Sequence, residues 1–109
     1  MDPPLLALAR SRPVVLDGAM GTAVQERDLT PSDFQGLVGC NEILVLSRPD
    51  VIRDIHRSYL AAGADVLETD SFGANAVVLG EYGLADRVFE LNRAAALLAR
   101  SAADRKSVV

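Results

Sequence analysis

The stretch VVLDGAMGT, residues 14–22, sets three apolar side chains against a carboxylate and then two glycines around a methionine. Val14, Val15 and Leu16 are short, largely β-branched and bounded by Pro13 and Gly18, which predicts a buried strand ending on Asp17 in a sharp turn. The pattern recurs in DVLETDSF, residues 65–72, where 66–69 reads as a second strand that also loses its apolar character at its far end.

Helical patterns separate and follow these strands. Ser47, Arg48, Pro49 and Asp50 resemble a helix start, with Ser47 as the cap and Pro49 in the first turn. Val51, Ile52, Ile55 and Tyr59 then recur at helical spacing, and Gly63 suits the C-terminal cap. That register leaves Arg53, Asp54, Arg57 and Ser58 to water, with His56 near the solvent stripe. A second helix is expected along Leu84, Val88, Leu91, Ala95, Leu98 and Ala102. Residues 19–29 and 73–83 each allow a short helix, whereas 30–42, rich in turn formers, reads as a long loop. Ser107, Val108 and Val109 begin like a third strand, and residues 1–12 read as an N-terminal helical extension preceding a domain over 13–109.

Strand, helix, strand, helix, strand is a βαβαβ order. It predicts an α/β fold with about three parallel strands and crossover helices, an incomplete first part of a (β/α)8 TIM barrel. An open doubly wound sheet is the second choice.

Fifteen acidic against 11 basic residues give a net charge of −4, the wrong sign for a nucleic-acid footprint. No apolar run approaches the roughly 20 residues of a membrane helix, and the first ten residues lack signal-peptide character. A cytoplasmic protein is expected. Cys40, the single cysteine, makes neither an internal disulfide nor, alone, a structural zinc site.

Ligands of parallel α/β folds bind at the carboxyl ends of the strands, where Asp17, Glu68, Thr69 and Asp70 would gather. The turn amides of Gly18, Ala19 and Met20 can hold an anionic group and Asp17 a cationic one, the two poles of a free α-amino acid. The residues equally allow Asp17 to cap the next helix, with Gly18 and Gly21 serving the turn or close packing. Strand alternation puts Glu68 and Asp70 on one side and Thr69 on the other. Carboxylates on neighbouring strand ends also suit a general acid/base pair.

LDGAMGT (16–22), GCNEILVLSRPDVIRDIHRSYLAAGADVLETDSFGAN (39–75) and EYGLADRVFELNRAAALLAR (81–100) together resemble the homocysteine S-methyltransferase family. Within it the similarity is to the homocysteine-binding domain of the cobalamin-dependent enzymes. The resemblance implies a (β/α)8 barrel and methyl transfer to the thiol of homocysteine. It implies that Asp17 binds the substrate ammonium and the amides around Gly18, Ala19 and Met20 its carboxylate. Asn41 then supplies a loop contact, Thr69 a hydroxyl and Phe72 an aromatic wall, which turns Glu68 and Asp70 away. The implied cofactors are zinc, on cysteine ligands outside this segment, and methylcobalamin as donor on another domain. The implied partners are homocysteine and the folate- and cobalamin-binding domains of a longer enzyme. Members using betaine, S-adenosylmethionine or S-methylmethionine, or a non-catalytic amino-acid-binding module, are the alternatives.

Overall fold

Thirteen residues from Pro49 to Ala61 bury one face and leave the other to solvent, which is what their 3.6-residue period demands. The computed structural model describes residues 3–108, with side chains followed to residue 104. Among the described residues six α-helices run in chain order: α1 (Pro4–Ser11), α2 (Met20–Gln25), α3 (Leu44–Ser47), α4 (Pro49–Ala61), α5 (Ala76–Gly80) and α6 (Val88–Val108). Single 3-10 turns at Asn41–Ile43 and Ala85–Arg87 lead into α3 and α6.

Helix α4 starts with Pro49 in its first turn, where no amide donor is missed. It ends in a Schellman motif: Gly63, at φ +112°, donates to the Leu60 carbonyl, and the Ala64 amide reaches back 3.0 Å to that of Tyr59. The expected Ser47 cap is not made. Ser47 is itself the last residue of α3, so its hydroxyl donates back to the Ile43 carbonyl at 3.2 Å. Helix α5 does carry a side-chain cap, Asn75 Oδ1 accepting from the Val78 amide at 2.9 Å.

Helices α3, α4 and α6 enclose the core. Ile43, Leu44, Ile52, Ile55, Leu79 and Leu91 are fully buried, joined by Ala95, Leu98 and Ala102 along the predicted stripe of α6. Small residues at 95, 99 and 102 let that helix lie close to its neighbours. Phe89, on the same helix, is exposed.

The predicted parallel strands and barrel are not what the chain forms. Among the described residues there is no sheet, only one isolated parallel bridge between Leu16 and Val66. The two extended segments meet through Asp65 and Val66 amides donating to the Val15 carbonyl, at 2.7 and 3.2 Å, and the Asp17 amide donating to that of Val66 at 3.0 Å. Each segment runs only three or four residues before a polar turn, so the ladder stops after one rung. Val15 and Leu16 remain half exposed, and without a covered face the pairing gains little from burial. The expected third strand also fails, since Ser107 and Val108 continue α6; Val109 lies outside the described residues.

Candidate functional site

The bridge at Leu16 and Val66 holds two polar turns side by side, and they frame a cavity of about 480 Å3. Asp17 locks them together: its own amide donates to the Val66 carbonyl, and its Oδ2 accepts from the Glu68 amide at 3.1 Å. The other carboxylate oxygen, Oδ1, is buried without a protein partner. Asp17 does not cap α2, whose N-terminal residue position is filled by Ala19 with no side-chain bond.

Gly18 owes its identity to packing. A Cβ there would stand 2.8 Å from the Tyr59 hydroxyl and 2.9 Å from its Cε1, inside contact distance. Tyr59 in turn donates to the Ala19 carbonyl at 3.0 Å, so α4 fixes the shape of the turn at 17–20. Gly21 is under no comparable pressure, its nearest neighbour to a Cβ being Asn41 Nδ2 at 3.7 Å.

All seven residues singled out from the sequence line this one cavity: Asp17, Gly18, Ala19, Met20, Asn41, Thr69 and Phe72. Met20 is partly buried against the core, Asn41 opens the 3-10 turn, and the Thr69 hydroxyl bonds the Ser71 hydroxyl. Phe72 is fully exposed and stands at the rim instead of forming a wall.

Glu68 and Asp70 line the cavity together with Thr69, against the alternation argument. That argument holds for a regular strand. Here the chain bends at Asp70, the Ser71 amide donating to the Thr69 carbonyl at 2.8 Å, and successive side chains no longer point to opposite faces. Glu68 forms no ion pair with an arginine among the described residues.

Glu42 escaped the sequence reading, and Asp70 and His56 were misplaced by it. Glu42 lines the cavity and its Oε2 accepts the Gly73 amide at 3.2 Å, tying the 3-10 turn to the second rim. Asp70 is only 5% exposed, and its Oδ2 has no partner. Burial, reinforced by the Glu42 charge, pushes its carboxyl up to about 7. His56, expected at the surface, is wholly buried with both ring nitrogens unpartnered. Burial holds its pKa below the usual imidazole value, opposed by the charge of Asp17. The signal for Glu42 and Asp70 lay in their motifs, GCNE and ETDSF; nothing in the helical period marked His56.

The cavity therefore presents four carboxyl groups, Asp17, Glu42, Glu68 and Asp70, and no lysine, arginine or histidine. Such a lining favours a cation, while backbone amides at 18–20 and the Asn41 amide remain as donors to an anionic group. It does not suit zinc. Cys40 is buried with its thiol pushed up by desolvation, and among the described residues no three His, Cys, Asp or Glu gather to hold a metal ion.

Two polar turns thus frame one acidic cavity. Residues 14–109 match the homocysteine S-methyltransferase family, and the chain belongs to it. It is 52% identical over 103 residues to methionine synthase of Mycobacterium tuberculosis (strain ATCC 25618 / H37Rv) and 50% identical over 103 to that of Mycobacterium leprae (strain TN). Each alignment covers 94% of this chain but only 9% and 8% of the relatives, so the chain spans less than a tenth of their length. No helix among the described residues is long and apolar enough to cross a membrane.

Proposed function

We propose that this chain supplies homocysteine recognition to a methyltransferase of the methionine-synthase type, which converts the thiol of homocysteine to the thioether of methionine. The observation that carries the reading is the convergence of Asp17, the 18–20 turn, Asn41 and Thr69 on one acidic cavity in a chain of this family. Asp17, with Oδ2 spent on the Glu68 amide, offers its unpartnered Oδ1 to the substrate ammonium. The amides of Gly18, Ala19 and Met20 take the carboxylate, with Asn41 and Thr69 adding polar contacts and Phe72 closing the rim.

Residues 1–12 stand outside this unit in our reading, supported by an α1 that buries no side chain and a family match that begins at residue 14. Zinc and methylcobalamin belong to the same proposal only as groups held elsewhere, since the residues here do not fit the metal. The remaining partners are the folate- and cobalamin-binding domains of the longer relatives' type, in a cytoplasmic enzyme.

The test is calorimetric titration of L-homocysteine into the protein carrying these residues, with and without Asp17→Asn. The substitution keeps an acceptor for the Glu68 amide and removes the charge. Affinity should fall by at least tenfold. Undiminished affinity in Asp17→Asn overturns the assignment of the ammonium pole.

A further inference from the structure

We infer that Asp70 is a second carboxyl group of this site, protonated while the cavity is empty and ionised when the ammonium group of an amino acid enters, so that binding releases a proton. The inference rests on the amino-acid reading above and adds the linkage of that binding to pH.

Three features of the cavity carry it. Asp70 is enclosed by the protein yet borders the cavity, and its Oδ2 meets no donor that would stabilise an anion. Glu42 is held beside it by the Gly73 amide, so a second anion would sit against the first. The charge of Glu42 acts on Asp70, Cys40 lies close enough to feel the Asp70 charge, and Asp17 and Glu68 line the same cavity; none of the four is a cation. A carboxyl that is buried, unpartnered and next to another carboxylate keeps its proton until a positive charge arrives. The carboxyl titrates at about 7 in the empty site. An ammonium within a few ångströms lowers a neighbouring carboxyl by roughly 1–3 units, moving it out of the physiological range. The proton goes to solvent, and the carboxylate left behind neutralises the incoming charge.

Affinity for L-homocysteine should then rise severalfold from pH 6 to pH 8, with a substantial fraction of a proton released at pH 6 and little at pH 8. The release is read by titration calorimetry in two buffers of different ionisation enthalpy. Asp70→Asn, of the same shape, should bind with an affinity that changes less than about twofold over that range. Wild-type 13C carboxyl NMR reads the same event without a substitution: at pH 6 the Asp70 resonance should move to its ionised position as ligand is added. Proton release persisting in Asp70→Asn, or an Asp70 resonance that ligand leaves unmoved, overturns the inference while leaving the amino-acid reading intact. Absence of saturable binding at pH 8, where Asp70 is ionised with or without ligand, strikes the amino-acid reading itself, and the inference falls with it.

Discussion

In the helical core, Ile43, Ile52, Ile55 and Leu91 are enclosed by apolar neighbours, with His56 on the buried face of α4 the one unserved polar side chain among the described residues there, whereas at the cavity Asp17 and Asp70 each carry a buried carboxyl oxygen without a partner. The first region gains stability from burial. The second forgoes hydrogen bonds that folding normally makes, at a cost on the order of 1–3 kcal/mol for each unserved group. Asp17 and Asp70, with one unserved oxygen each, line the same cavity, and it is there that the proposed ligand would supply the missing partners.

The comparison breaks first in the core. Ile52→Ala removes a fully buried branched side chain where α4 meets the core, and should cost about 2–5 kcal/mol in urea unfolding. A loss below about 1 kcal/mol would mean that α4 is not packed as described, and the contrast between the two regions would vanish. A smaller loss is expected at their junction. Gly18→Ala drives a methyl group into the Tyr59 ring, at a cost of about 1–3 kcal/mol, because the ring is held by its bond to the Ala19 carbonyl. Both stability and homocysteine affinity should fall, since the turn and the cavity share that contact. Stability lost with affinity kept would show that the turn's shape does not matter to the site.

What the sequence made legible follows the same division. Helices α4 and α6 could be read residue by residue because a helix face is set by local period, and Ile52, Leu91 and Ala95 lie where 3.6 residues per turn puts them. The strands could not, because pairing is non-local: residues 14–16 and 66–69 carry strand-like side chains, yet they form a single bridge that leaves Val15 and Leu16 half exposed. The short helix α3 went unseen because Leu44 to Ser47 is too brief to show a period. Asp17, the 18–20 turn, Asn41, Thr69 and Phe72 do converge, since their placement needed only the two turns to lie side by side. Asp70 was misplaced by an alternation rule that the bend at that residue suspends. His56 was misplaced because the buried face of α4, running through Val51, Ile52, Ile55, His56 and Leu60, is wider than the narrow stripe that apolar residues alone define.

His56 gives the smallest effect at neutral pH and the most specific one in acid. Burial depresses its folded pKa below the unfolded value of 6.5, so the unfolded chain takes up the proton more readily. More than about a unit above pH 6.5 the imidazole is neutral in both states and contributes no pH dependence. As pH falls below 6.5, stability drains away, and the loss levels off once pH is below the folded pKa. Asp70 works in the opposite sense: with its folded pKa raised to about 7 from 3.8, it favours the folded state increasingly as pH falls from 7 towards 4. The two therefore mask each other in wild-type unfolding curves, and the difference between wild type and His56→Leu isolates one of them. Two unpartnered ring nitrogens are exchanged for apolar atoms of similar volume, so at pH 8 the variant should lie within about 1 kcal/mol of wild type. At pH 5 it should be the more stable of the two, as read from urea midpoints at both pH values. A variant several kcal/mol weaker at pH 8 would mean that the imidazole is bonded after all, and His56 would belong with the satisfied groups of the core.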